Sequence, residues 1–429
     1  MTVTKEAPEV MPFEGLTEEI NLMSDNERVW WQKTGSMLSR VLSSADYTWK
    51  EQHKHLKFYA QVLLPHLGPY PQSFRSSITR SGLPFELSIN YQQNGNPLVV
   101  RIGFEPLNAL SGTPDDPFNQ APAAEVLSLL DQMHIPGFDS QIWDKAVEHH
   151  TVNHTEREAL RDSDLGAGYI RSQTAYGFDL LRDGNIAVKG YSFPALKCQI
   201  TGQSMAQMMA GLVADLAPLV DCSQAFAIVD EYLQDTGYDE RAFFSWDFVE
   251  PSRSRLKLYT GSSSVTWGKL AEVWTLGNRV QNPTVARGLE YLRQLFDLIK
   301  LSDGQRNIVV AFDDRQDSSK ETPLLWNYEM RAGDPTPLTK IYFPVHGEND
   351  LQVINGVAEF LCQIGLSHGK TYVEKVKSYY PGIDLSTTER FTSWVSFAYT
   401  EKTGVYLSTY YHSSTDNPWK MTTEEDSQL

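Results

Sequence analysis

The feature that most constrains this chain is a strict alternation of polar and apolar residues, which recurs in pairs of short segments. In "RLKLYTG", Arg255, Lys257 and Tyr259 fall on one face of a strand and Leu256 and Leu258 on the other. That is the period of two that a pleated backbone imposes. The same split returns in "VKGYSF", with Lys189, Tyr191 and Phe193 opposite Val188, and in "TKIYFP", with Lys340 and Tyr342 opposite Ile341 and Phe343. "VYLSTYYHS" groups Tyr406, Ser408, Tyr410 and His412, and "FELSINY" groups Glu86, Ser88 and Asn90. "VVRIGFEP" adds Arg101 opposite Val100 and Ile102. Strands with two such unlike faces must have the apolar one covered, and the chain supplies amphipathic helices between the strand pairs.

The helices announce themselves by capping and spacing. Ser24 and Glu27 have capping-box spacing, and Trp30, Met37, Leu38, Val41 and Leu42 then form an apolar stripe. "WKEQHKHLKFYAQVLLPHLG" reads as a second helix, with Leu56, Tyr59, Ala60 and Leu63 inward and a stop near Pro65 and Gly68. Further helices are expected at "QSMAQMMAGLVADL", where Met205, Met208 and Met209 read as core, at "VARGLEYLRQLFDLI" and at "NDLQVINGVAEFLCQ". Strand pairs follow around 85–106, 176–193, 243–260, 325–344 and 394–411. The result is a helix–strand–strand–helix block repeated along the chain. No Pro/Gly/Ser-rich linker divides it, so residues 16–412 are expected to form a single domain, with flexible tails at 1–15 and 413–429.

If the helices cover the apolar faces, the polar faces point away from them. An open sheet would expose a broad basic and aromatic surface. Closure of about ten antiparallel strands would instead enclose a lumen and remove the sheet edges. The fold class expected is therefore α+β, a closed antiparallel barrel inside a ring of helices. Arg101, Lys189, Arg255, Lys257 and Lys340 would converge inside it, although the chain carries 37 basic and 54 acidic residues for a formal net charge of −17. Such a balance argues against nucleic acid or an anionic membrane as partner, so the basic face is a local device. Three cysteines, Cys198, Cys222 and Cys362, have neither disulfide nor zinc spacing. No apolar run reaches the length of a membrane span and "MTVTKEAPEVMPFEG" lacks a signal-peptide core, so the expected location is the cytosol.

Cations gathered in a lumen need an anionic guest, and a diphosphate suits guanidinium and ammonium donors without a metal. Aromatic faces stabilise a carbocation and exclude water, and tyrosine hydroxyls can hold departing phosphate oxygens. Glu86, the one acid in this set, is placed to act as a base. Together these groups describe a site for prenyl transfer from an allylic diphosphate, with no cofactor and only small-molecule partners.

At this point the chain resembles the fungal aromatic prenyltransferases of the dimethylallyltryptophan synthase family. The matching stretches include "WW" at Trp30, "LLPHLGPYP" ending at Pro71, "PFELSINY", "VRIGFEP", "GTPDDPFN", "VKGYSFPALK", "SRLKLY", "EVWTLG", "KIYFPVHGEND" and "SWVSFAYTEKTGVYLSTYY". The resemblance implies a ten-stranded barrel ringed by helices, the repeated αββα architecture of these enzymes. It also implies that Glu86 binds the indole N–H, and that Arg101, Lys189, Arg255 and Lys257 bind the diphosphate. Lys340 stands where some members carry Gln. Tyr191, Tyr259, Tyr342, Tyr406 and Tyr410 fall on the tyrosine shield. Members acting on free tryptophan at C4 carry a Lys where this chain has Ala175, and an Arg for the substrate carboxylate where Ala242 is aligned, with the adjacent Arg241 expected to point to the opposite face of a regular strand. Both differences point to a capped indole, such as a tryptophan-containing cyclic dipeptide, with free tryptophan or another aromatic acceptor as the alternative.

Other readings compete. "DDRQD" places Asp313, Asp314 and Asp317 in the pattern of a magnesium–diphosphate motif, but it follows the strand-like "NIVVAF" where that chemistry needs a helix. A magnesium-dependent isoprenyl diphosphate enzyme is one alternative, and a non-catalytic barrel for an anionic apolar ligand is another. His150 and His154 lack the Glu of an HExxH motif and read as a solvated helix face. Glu105 has no distinctive partner in the sequence, and Trp274 reads as a helix-end packing residue.

Overall fold

The computed structural model describes residues 12–20, 24–72, 74–161, 170–239, 241–306 and 322–414. Twelve strands form among the described residues. They are β1 (Phe85–Gln92), β2 (Val99–Phe104), β3 (Thr174–Leu180), β4 (Ile186–Ser192), β5 (Phe243–Asp247) and β6 (Arg255–Ser262). Then come β7 (Ser264–Val265), β8 (Gly304–Gln305), β9 (Leu324–Arg331), β10 (Leu338–Pro344), β11 (Thr392–Thr400) and β12 (Gly404–His412). Ten of them close into an antiparallel barrel in the order β1-β12-β11-β10-β9-β6-β5-β4-β3-β2, while β7 and β8 form a separate ribbon. The expected closed barrel is therefore the observed fold, and closure leaves no barrel strand as an edge.

Outward residues of the strands carry the core. Leu87, Ile89, Val100, Ile102, Phe178, Leu256, Leu258 and Phe397 are all nearly inaccessible and belong to one hydrophobic cluster with the helices. Each such side chain contributes about 1.5–3 kcal/mol when fully buried. Trp143, from the helix Gln141–His150, stacks on outward Tyr176 at 5.3 Å, and Phe58 packs edge-on against Phe178 at 5.3 Å.

The cap at Ser24 is a full capping box, and the helix that it starts runs from Asp25 through a π turn at Trp31–Gly35 to Ser44. Trp30, Leu38, Val41 and Leu42 are wholly buried in it. Structure also begins before the expected boundary at residue 16. The helix Pro12–Glu19 starts at Pro12, and Phe13 stacks on Trp31 at 4.9 Å. At the other end Ser413 Oγ donates to the Phe85 carbonyl at 2.7 Å, so the order extends past 412. Among the described residues no helix is long and apolar enough to cross a membrane.

Candidate active site

All short strand connections, β1–β2, β3–β4, β5–β6, β9–β10 and β11–β12, lie at one end of the barrel, here the hairpin end. The inward residues line a cavity of about 820 Å³, which includes every one of the expected site residues. Strand direction and register then sort them by height along the barrel axis.

Glu86 stands at the end away from the hairpins, where β1 begins, opposite Gly103 of β2 and His412 of β12. Its Oε1 is shut off from solvent without a hydrogen-bond partner. Burial pushes its carboxyl up to about 8, which favours the protonated form at neutral pH. Next comes an aromatic belt. Ring centroids are 6.2 Å apart for Tyr191 and Tyr259, 5.9 Å for Tyr259 and Tyr342, and 5.9 Å for Tyr342 and Tyr410. Phe243, which the sequence did not single out, stacks on Tyr259 at 4.2 Å and extends the belt.

The cations lie nearer the hairpin end. Arg101, Lys189, Lys257 and Lys340 project from β2, β4, β6 and β10, with Arg255 at the start of β6. Tyr406 sits among them rather than in the belt. Its ring lies 5.3 Å from the Arg101 guanidinium and 4.9 Å from the Lys340 ammonium, and its hydroxyl accepts from Arg101.

The structure corrects the expectation that Glu86 is the single acid among these groups. Asp179, Asp247 and Glu329 share the inward face of β3, β5 and β9. Asp179 pairs with Arg101 at 2.8 Å and also with Lys189. Asp247 pairs with Arg255 at 2.5 Å and faces Lys257 at 3.6 Å. Glu329 faces Arg255 at 3.6 Å and bonds the rim residue Arg331 at 2.7 Å. Burial opposes ionisation of Asp179 and Asp247, but the adjacent cations outweigh it and hold both well below the usual carboxylate range. The five cations are thus partly neutralised by the protein's own carboxylates, which offsets part of the cost of burying them. Three carboxylates still leave the five expected cations in excess.

That excess shows in the lysines. Burial pulls Lys257 down to about 8, with Asp247 opposing, and its Nζ has no hydrogen-bond partner. Lys340 is lowered further by burial and then by Arg101, and among the described residues no carboxylate pairs with it. An anion with several oxygens placed here would reverse both shifts.

Comparison with known proteins decides the family. The profile described as tryptophan dimethylallyltransferase matches residues 26–376. The chain belongs to this family, and it is a prenyltransferase. It is 46% identical to prenyltransferase phqI of Penicillium fellutanum, over 95% of this chain and 93% of that protein. It is 41% identical to deoxybrevianamide E synthase of Aspergillus versicolor, over 92% of each chain. The crystal structure of NotF in complex with brevianamide F and DMSPP has a TM-score of 0.86 at 37% identity, covering 95% of this chain and 100% of that one.

Within this prenyltransferase several neighbouring residues fall elsewhere than the sequence indicates. Ala242 is buried in the core, and Arg241 lines the cavity. The inward parity of Phe243 and Ser245 runs back to Arg241, so the site does hold an arginine at the end where Glu86 stands. Ala175 is a buried residue on the inward parity of β3 opposite Tyr191. His150 and His154 are not a shared helix face. His150 ends one helix and is fully buried, with Nδ1 2.8 Å from Ser192 Oγ, whereas His154 opens the next helix.

Glu105 has partners that sequence could not supply. It is fully buried, accepting from Ser172 Oγ at 2.7 Å, from Asn119 Nδ2 at 3.2 Å and from Ser76. Trp274 ends its helix as expected, and its Nε1 donates to the Val285 carbonyl at 2.9 Å. Asp313, Asp314 and Asp317 lie outside the described residues. Among the described residues no group of three or more His, Cys, Asp or Glu is placed to hold a metal ion.

Proposed function

We propose that this prenyltransferase moves a dimethylallyl group from dimethylallyl diphosphate to the indole of a tryptophan-containing cyclic dipeptide, without a metal ion. The observation that carries the reading is the axial order of the lumen: carboxyl, aromatic belt, cations. Diphosphate oxygens lie against Arg101, Lys189, Arg255, Lys257 and Lys340, with Tyr406 alongside. The allyl group then projects into the belt of Tyr191, Tyr259, Tyr342 and Tyr410. The allylic C–O bond breaks and its electron pair leaves with the diphosphate, whose new charge the cations neutralise. Four aromatic faces stabilise the allyl cation and keep water away. An indole carbon attacks it, and the positive charge moves onto the indole ring. Glu86, as carboxylate, accepts a hydrogen bond from the indole N–H and stabilises that charge, and the ring then gives up one proton to a carboxylate or diphosphate oxygen of the lumen, which leaves a neutral prenylated product.

The acceptor assignment is supported by Ala175, which offers no base beside the belt. It is also supported by the similarity to deoxybrevianamide E synthase and to NotF with its brevianamide F and DMSPP. Arg241 at the acceptor end makes free tryptophan the competing substrate. A cytosolic location and a single domain spanning the barrel and its helices belong to the same proposal.

The deciding experiment is a product-mass assay with dimethylallyl diphosphate in EDTA, offering tryptophan, brevianamide F and other tryptophan-containing cyclic dipeptides. The expected result is a gain of one prenyl group on a cyclic dipeptide. Product on tryptophan alone overturns the acceptor, and product only after magnesium is restored overturns the metal-free mechanism. Glu86→Gln should lower turnover by about 10²–10⁴-fold while leaving diphosphate affinity intact. A non-catalytic binding barrel would show no turnover to lose.

A further inference from the structure

Each luminal carboxylate competes with the diphosphate for the cations that would bind it, and the three are not equivalent. Asp179 lies between Arg101 and Lys189, and Asp247 between Arg255 and Lys257, all of them assigned to the donor. Glu329 alone, among the described residues, bridges one such cation to a residue outside that set. It meets Arg255 at 3.6 Å and Arg331 at 2.7 Å. The register produces this bridge, because β6 and β9 pair Arg255 with Arg331 and Lys257 with Glu329. Side-chain exposure rises from 11% at Glu329 to 30% at Arg255 and 53% at Arg331, a path from the lumen to solvent at the hairpin end.

When a diphosphate takes Arg255, Glu329 loses that partner and faces a polyanion across a low-dielectric lumen. A carboxylate left so would repel the guest or have to take up a proton. We propose that Arg331 is a positioning residue for the donor: it holds Glu329 at the rim and so releases Arg255 and Lys257 to the diphosphate. The inference rests on the diphosphate assignment made above.

The test is calorimetric titration of inorganic diphosphate into the full chain. Wild type, Arg331→Ala, Arg331→Lys and the double variant Arg331→Ala/Glu329→Gln would be compared, each checked by thermal melting. Arg331→Ala should bind about ten-fold more weakly. The double variant, which has no stranded carboxylate, should recover to within about two-fold of wild type, as should Arg331→Lys, which keeps the charge. The KM for dimethylallyl diphosphate should rise with Arg331→Ala while kcat holds, which a general loss of structure would not do. Equal affinity in Arg331→Ala and wild type overturns the inference. So does weak binding that Glu329→Gln fails to rescue, which would make Arg331 a direct contact. Wild type that ignores diphosphate sinks the donor assignment itself, a failure distinct from the other two.

Discussion

Burial and the role proposed for Glu86 pull its proton in opposite directions. Packing in a barrel wall favours the neutral acid, whereas the proposed stabilisation of a charged indole ring requires the carboxylate. Its ordinary value is 4.5 and burial raises it to about 8. Between those values the folded protein retains a proton that the unfolded chain has already lost. Stability from this residue is therefore fully present below pH 4.5, declines as pH rises, and levels off above about 8. Glu86→Gln keeps a neutral side chain at every pH. It should match wild type at pH 4.5 and be more stable at pH 8.5, by on the order of 1–3 kcal/mol after allowing for solvent in the cavity. Denaturant midpoints at the two pH values test this, and an equal gain at both would assign the effect to packing. In wild type, kcat/KM should climb with pH as the free enzyme's Glu86 carboxyl ionises and fall again as Lys257, also near 8, loses its proton, so the profile is a bell whose rising limb Glu86→Gln removes.

At the scale of strands and helices, the period of two predicted more than the sequence analysis took from it. The rule that grouped Arg255, Lys257 and Tyr259 applies equally to "YGFDLL", "FFSWDF" and "LLWNYEM", where Asp179, Asp247 and Glu329 alternate with apolar residues. Those acids were legible in the strands, but a search for cations passes over them. Arg241 was misassigned for a different reason. It precedes the first residue of β5, and its side had to be read from an aligned position instead of from a strand's own parity. The partners of Glu105 could not be read at all, since they come from loops brought together only by the fold.

Gly356, in the helix Asp350–Gln363, lies against the backbone of the helix Pro283–Ile299. An added Cβ would stand 2.4 Å from the Leu298 carbonyl oxygen and 2.9 Å from Ile299 Cα. Main chain cannot rotate aside as a side chain can, so Gly356→Ala should cost about 2–3 kcal/mol in urea unfolding. A cost below about 0.5 kcal/mol would mean that the two helices separate easily.

For the molecule as a whole, the puzzle is a trianionic substrate and a protein of net charge −17. The cations proposed to bind the donor are inside and matched in part by Asp179, Asp247 and Glu329, so little of their field escapes the barrel. A distant diphosphate therefore meets the acidic exterior first. Salt shortens the reach of that exterior from about 30 Å at 0.01 M to about 8 Å at 0.15 M. Contacts within the lumen, enclosed and close, are screened far less. The kcat/KM for dimethylallyl diphosphate should accordingly rise by about two- to three-fold over this range, and fall only at higher salt. An enzyme that steers its substrate electrostatically does the reverse and loses rate from the first addition of salt. Initial rates at low donor concentration, with the acceptor saturating, separate the two cases. A steady fall would place an attractive field outside the barrel, which the partial neutralisation of its lumen does not allow.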